Sequence, residues 1–141
     1  MMSNQKFYIG VACQEHVENG KTLGIAQFCH GKKSPAARLK FNDFVVYYSP
    51  KKIYGGDEPC QQFTAIGQVR DHEPYQVDMG DGFKPFRRNI LYLPSRNIDI
   101  RPLIDVLPFI TNKSSWGGVF RFGFLEIDAH SFEIIHKAMT A

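Results

Sequence analysis

The sequence predicts a mixed α/β domain built on a small curled or closed β-sheet. Three observations carry that reading. Five or six strand-like segments are spaced irregularly, with short helical stretches between them. Gly67 interrupts the alternating run Phe63–Arg70, as a bend or a close backbone approach in a barrel requires. The C-terminal segment places Phe132, Ile135 and Met139 at helical spacing, one buried stripe. The chain has 141 residues, enough to bury a core without metals or disulfides, and no linker divides it. It is read as one domain, 1–141.

Taken in order, Lys6–Ala12 is rich in aromatic and β-branched types and reads as a strand. Gln14–Asn19 suits a short helix, with Gly20 placed to end it in a left-handed cap. Gly31–Pro35 reads as a loop, followed by a helical turn at Ala36–Lys40. Phe44–Tyr48 is the clearest strand, and Pro50 should end it. Residues 51–61, with Gly55, Gly56 and Pro59, read as a mobile loop.

Phe63–Arg70 alternates, with Phe63, Ala65 and Val69 on one side and Thr64, Gln68 and Arg70 on the other. Gly80-Asp81-Gly82 is a turn and Arg87–Leu93 a further strand. Ile100–Ile110 looks helical, with Pro102 in its first turn and Pro108 breaking it. Val119–Ile127 reads as a strand carrying Phe120, Phe122 and Phe124 on one face. Asp128 is the expected N-cap of the last helix.

Composition excludes several classes of protein. Hydrophobic residues make up 43% and charged residues 22%, which rules out a disordered chain, a collagen and a coiled coil. No stretch reaches the roughly 20 apolar residues that span a bilayer, so no membrane partner is expected. The N-terminus, from Met1-Met2-Ser3, shows no targeting pattern. Cys13, Cys29 and Cys60 make neither a disulfide framework nor a metal knuckle. A reducing cytoplasm is the expected location, and neither a metal nor another cofactor is expected.

The net charge of +3 hides strong segregation. Residues 30–52 hold Lys32, Lys33, Arg38, Lys40, Lys51 and Lys52 against Asp43, a local +5. Residues 56–82 hold six carboxylates against Arg70, a local −5. Residues 83–121 hold Lys84, Arg87, Arg88, Arg96, Arg101, Lys113 and Arg121 against Asp99 and Asp105, again +5. Two basic blocks meeting on one face would suit a phosphate backbone; a mixed solvated surface is the plain alternative.

Catalytic patterns are weak. Cys29-His30 could form a thiolate pair near Lys32 and Lys33, but adjacent residues on a strand point apart, so a buried structural Cys29 is favoured. Asp71, Glu73, Asp78 and Asp81 flank turns rather than sit in apolar strands, so a solvated loop is the better account of them than paired acid/base catalysis. What remains is aromatic and basic residues interleaved at loop edges. Tyr47-Tyr48-Ser49-Pro50-Lys51-Lys52, Phe86-Arg87-Arg88 and Asn112-Lys113-Ser114-Ser115-Trp116-Gly117 follow this pattern. Rings stack on nucleobases, and neighbouring cations meet phosphates. Trp116, beside two serines and two glycines, reads as the lip of a site. Tyr47, Phe120, Phe122 and Phe124 read as core.

Several blocks carry a family resemblance in order along nearly the whole chain. They are Phe7–Ala12, Gln27–Lys32, Val46–Lys51, Phe63–Val69, Pro85–Arg88, Arg101–Ile104, Asn112–Gly117 and Phe120–Gly123. Together they resemble the EVE domain family in its small stand-alone prokaryotic form. The resemblance implies a PUA-like β-barrel of five to six strands with short helices packed around it. It also implies kinship with the YTH and SRA readers of methylated bases. On that footing the expected function is binding of nucleic acid, DNA or RNA, through a modified nucleobase held in an aromatic pocket.

Carried over, Gln27, Phe28, Cys29, His30, Gly31, Lys32, Tyr48, Ser49, Pro50, Ser115 and Trp116 would supply that pocket. Lys51, Arg87, Lys113 and Arg121 would meet phosphate. Animal-type EVE domains carry Trp-Asp-Gly where this chain has Phe28-Cys29-His30-Gly31, so the pocket wall differs. Two alternatives stand beside this reading. One is a small ASCH-like hydrolase of modified nucleosides using Lys32, Tyr48 or Cys29-His30. The other is a protein-interaction domain. Oligomeric state is left open.

Overall fold

The computed structural model describes residues 4–141; Met1, Met2 and Ser3 lie outside the described residues. In chain order the elements are β1 (Phe7–Val11), α1 (Gln14–Leu23), β2 (Ile25–Ala26), α2 (Lys33–Arg38), β3 (Phe44–Lys51) and β4 (Pro59–Val69). There follow β5 (Tyr75–Gln76), β6 (Phe86–Tyr92), β7 (Ile98–Asp99), 3₁₀ turns at Arg101–Leu103 and Trp116–Phe120, β8 (Phe124–Ile127) and α3 (Ala129–Thr140). One curled sheet runs β2-β6-β4-β3-β1-β8, with β5 added to β6 and β7 to β4. β1 and β3 are parallel, which requires the α1–β2–α2 crossover between them. The other pairings are antiparallel. The expected mixed α/β, PUA-like architecture is present, as a half-barrel rather than a fully paired cylinder.

Each face of the sheet carries its own core. Ile9, Val46, Tyr48, Phe63 and Ile66 pack beneath α3 and the 100–120 segment, against Leu107, Phe120, Phe132 and Ile135. Tyr8, Val45, Tyr47, Ala65 and Val69 pack on the opposite face, against Val17 of α1, Leu39 after α2, Phe28 and Phe124. The period-two alternation of a strand sends neighbours to opposite sides.

On β4 that alternation breaks once. Tyr47 faces Ala65 and Tyr48 faces Phe63, so Thr64 is an extra residue in the ladder, a β-bulge. The bulge puts Phe63 with Ile66, and not with Ala65 and Val69 as strict alternation expects. The Thr64 hydroxyl is not stranded, since it shares a 2.7 Å hydrogen bond with the buried Ser49 hydroxyl. Gly67 is the expected close approach: an added Cβ would lie 2.5 Å from Ile90 of β6.

Several local expectations are corrected. α1 runs through Gly20 and ends at Gly24, whose φ of 70° supplies the left-handed cap. α2 starts at Lys33, with Pro35 in its first turn. β3 passes through Pro50, because the ladder is irregular between Ser49 and Lys51 and asks no hydrogen bond of it there. The expected loop at 51–61 shrinks to a turn closed by the Lys52 N–H to the Glu58 carbonyl (3.1 Å).

The Ile100–Ile110 helix shortens to a 3₁₀ turn and further turns, and Val119–Ile127 is a strand only from Phe124. A positive φ at Gly123 (80°) breaks the earlier part. Phe120, Phe122 and Phe124 consequently diverge: one core takes Phe120, the other takes Phe124, and Phe122 is exposed. The C-terminal helix matches expectation, with Asp128 accepting from the Ser131 N–H at 2.9 Å and Phe132, Ile135 and Met139 buried.

Candidate functional site

The segment after β2 is pinned before it is strained. Phe28 is buried, stacked on Tyr47 (5.7 Å between centroids) and tilted against Phe124 (4.9 Å). It lies across β1 where Gly10 has no side chain; an added Cβ would sit 2.7 Å from the Phe28 ring. The Phe28 carbonyl then accepts from the N–H groups of both Gly31 (2.9 Å) and Lys32 (3.1 Å). That closes a turn in which Cys29, His30 and Gly31 all have positive φ, at 51°, 62° and 82°. Left-handed backbone costs a non-glycine residue about 1–2 kcal/mol, and such strain clusters where a chain presents side chains for use. Here it projects Cys29 and His30 into a cleft.

The cleft has a volume of about 790 Å³. The end of β1 gives Val11 and Ala12, the start of α1 gives Cys13 and His16, and the strained turn gives Gln27, Cys29, His30 and Lys32. Tyr54 comes from the β3–β4 turn, Met79 and Phe83 from the β5–β6 turn, and Arg121, Phe122 and Gly123 from the run into β8. Four large apolar groups at the mouth are strongly exposed: Tyr54 at 80%, Phe122 at 75%, Met79 at 55% and Phe83 at 44%. An exposed apolar cluster around a concave site marks a binding surface.

The rim is cationic. The Arg121 guanidinium lies 4.9 Å from the Phe122 ring centroid, and the His30 ring meets Tyr54 edge-on at 5.8 Å. No carboxylate is among the lining residues.

Deeper in, Gln27 is 9% exposed. Its backbone carbonyl accepts from the Tyr47 hydroxyl at 2.7 Å, and its side-chain oxygen accepts from Arg87 Nε at 2.5 Å. Complete burial pushes the Tyr47 phenol well above its ordinary pKa, so it stays a donor. Burial lowers the pKa of His16 and so favours its neutral ring; the Gln27 backbone opposes this and His30 adds to it. The Cys29 thiol donates to the Phe122 carbonyl (3.3 Å), while the His30 ring turns to Tyr54, so the two do not form a catalytic pair. Among the described residues no cluster of three or more His, Cys, Asp or Glu side chains is arranged to hold a metal ion.

The residues picked from sequence fall into two groups. Gln27, Cys29, His30, Lys32 and Arg121 line the cleft, Arg87 braces Gln27 at its edge, and Phe28 and Gly31 form the support underneath. The others are not brought there. Tyr48 is buried on the opposite face of the sheet, stacked on Phe120 at 4.2 Å, and burial pushes its phenol up to about 12. Ser49 is buried on Thr64. Trp116 is half-buried against that same core, edge-on to Tyr48 at 6.5 Å, so it is a packing residue and not a lip of this cleft.

Ser115 is exposed beside it, its N–H bonded to Asn112. Lys113 donates to the carbonyls of Ile104 and Leu107, tying down a loop. Pro50 and Lys51 end β3, with Lys51 donating to the Asp57 carbonyl at 3.3 Å. The physical reason for the split is the strand alternation between Tyr47 and Tyr48. Sequence reading missed His16, Tyr54, Met79, Phe83 and Phe122. For Tyr54 the signal was there: an aromatic beside Gly55-Gly56 is the same cue that drew attention to Trp116.

A curled half-barrel sheet with short helices on both faces, opening into one aromatic and cationic cleft, defines a small PUA-like domain. The sequence profile of the EVE domain matches residues 6–138, and the chain belongs to that family. It is 47% identical to the "UPF0310 protein in gntR 5'region" of Bacillus licheniformis, over 90% of this chain and 86% of that protein. A UPF0310 protein of Mycolicibacterium vanbaalenii is 46% identical over 94% of this chain and 92% of its own length. Among solved structures, a hypothetical protein from Leishmania major superposes with a TM-score of 0.62 at 9% identity, covering 95% of this chain and 94% of that one. The solution structure of Rpa0253 from Rhodopseudomonas palustris gives a TM-score of 0.58 at 12% identity, covering 94% and 92%. At such identities these two likenesses concern the fold alone.

Proposed function

We propose that the cleft binds a nucleobase, modified and presented by single-stranded or flipped nucleic acid. The observation that carries this reading is the composition of the mouth. Tyr54, Phe83 and Phe122 offer aromatic faces, while Lys32 and Arg121 supply positive charge with no carboxylate among the lining residues. Base stacking on aromatic rings and phosphate contact by adjacent cations are the two halves of single-strand recognition. The volume of about 790 Å³ falls within the range of about 300–1,000 Å³ typical of small-ligand sites, room enough for a base and its sugar. Membership of the EVE family supports the same reading. The three free thiols fit a reducing cytoplasm as the place of action.

The test is fluorescence anisotropy of labelled single-stranded oligonucleotides. Each carries one plain or methylated base at its centre, and each is titrated at two salt concentrations. Saturable binding that favours a modified base and weakens with salt is expected. Phe122→Ala should reduce it about tenfold, as stacking on one ring contributes about 1–3 kcal/mol. Equal, negligible binding across the panel would overturn the proposal.

A further inference from the structure

The most specific chemical instruction in the cleft is the orientation of one amide. A glutamine side chain ends in an oxygen that accepts and a nitrogen that donates, and rotation by about half a turn exchanges them. At Gln27 the exchange is forbidden by Arg87. A guanidinium has donors and no acceptor, so the Gln27 atom 2.5 Å from Arg87 Nε must be the oxygen. Arg87 is itself held, since its terminal nitrogen lies 3.3 Å from the Met79 sulfur. The Gln27 backbone is fixed as well, through its carbonyl and the Tyr47 hydroxyl.

The other end of the amide is then determined. Gln27 Nε2 carries two N–H groups and has no hydrogen-bond partner in the protein, although the residue is only 9% exposed. It is not a sealed orphan either: among the described residues, no fully buried side-chain nitrogen or oxygen is left without a partner. Gln27 lines the cleft, so its free N–H groups open into that space. A nearly buried donor without a partner is a strong selector, because a ligand that fails to meet it leaves it desolvated and unpaired.

We infer that Gln27 is the specificity-determining residue of the cleft. It is a fixed donor that selects a base presenting an exocyclic carbonyl oxygen on its inward edge. This rests on the nucleobase reading of the site and narrows it to bases whose edge away from the sugar carries an oxo group, thymine, uracil and guanine. Adenine and cytosine present an exocyclic amino group there, which would place donor against donor. Arg87 acts as the positioning residue that holds the amide in register.

The test compares oligonucleotides identical except for one central base, thymine or guanine against adenine or N6-methyladenine, on the wild type and on Gln27→Glu. The carboxylate keeps the Arg87 contact and replaces the donor with an acceptor. The wild type should bind the oxo probes about tenfold or more tighter than the adenine probes. Gln27→Glu should lose at least about tenfold on the oxo probes and narrow or reverse the preference.

Arg87→Met supplies an independent arm if Gln27→Glu does not fold. With the amide free to rotate, the ratio between oxo and adenine probes should shrink several-fold, while the loss of one cation lowers affinity for all probes alike. A wild type that prefers adenine, or variants that leave the ranking unchanged, would overturn the inference. Binding that follows salt but ignores the base would overturn it too, and leave nucleic-acid binding standing. Failure of every probe to bind would overturn the nucleic-acid reading, and this inference with it.

Discussion

Tyr47 and Tyr48 are adjacent on β3 and belong to opposite cores. The Tyr47 ring packs against Phe28, and its hydroxyl reaches the Gln27 carbonyl at 2.7 Å; the Tyr48 ring stacks on Phe120 at 4.2 Å. The first residue thus supports the floor of the cleft, and the second seals the sheet beneath α3. This one-residue difference decides which aromatic and basic residues can serve a common ligand. Those linked to Tyr47 converge, while those linked to Tyr48, Trp116 among them, do not.

Trp116 and Phe122 should therefore separate stability from binding. Trp116→Ala is expected to lower unfolding stability by about 2 kcal/mol through lost packing, with little change in oligonucleotide affinity. Phe122→Ala should do the reverse, its ring being 75% exposed. Urea denaturation and anisotropy on both variants check the pair. A binding defect confined to Trp116→Ala would contradict this division.

The bulge predicts a non-additive pair. Ser49→Ala leaves the buried Thr64 hydroxyl without its partner and should cost about 1–3 kcal/mol. Adding Thr64→Val removes the second hydroxyl while keeping its shape, so the double variant should recover much of that loss. Denaturant midpoints of the four proteins in the cycle measure it.

Gly10 and Gly31 make the strained turn possible for different reasons. Gly10→Ala drives a methyl into the Phe28 ring, where the space is only 2.7 Å, and should destabilise by about 1–3 kcal/mol. Gly31→Ala combines a clash with Pro85 and a φ of 82°, and should be worse. Thermal unfolding of the two variants, compared with the wild type, gives the order.

His16 predicts an acid-side loss of stability. Its folded pKa lies below the ordinary 6.5, chiefly through burial, so the unfolded chain binds the proton more readily. Its contribution is complete above about 6.5 and falls away as the pH drops toward the folded value. His16→Gln should flatten the stability profile across that window. Urea midpoints between about pH 5 and pH 8 would show it, and an unchanged slope would remove His16 as the cause.

By itself the sequence determined the mixed α/β class, most strand positions, the C-terminal helix with its Asp128 cap, and the close approach at Gly67. These follow from local rules: β-branched and aromatic runs, apolar spacing, and side chains that cap their own backbone. It also picked out Gln27, Cys29, His30, Lys32, Arg87 and Arg121, all at or lining the cleft. What it could not determine is which side of a sheet a side chain reaches once the ladder is irregular.

The Thr64 bulge, the turn of three positive φ values at Cys29–Gly31 and the break at Gly123 each redirect side chains through pairing with distant strands. Tertiary structure alone therefore sent Tyr48 and Trp116 to one core, brought Tyr54, Phe83 and Phe122 to the mouth, and set Arg87 against Gln27. That last contact spans 60 positions, and no local pattern encodes it. It is the contact that turns an ordinary glutamine into a donor with one direction to point.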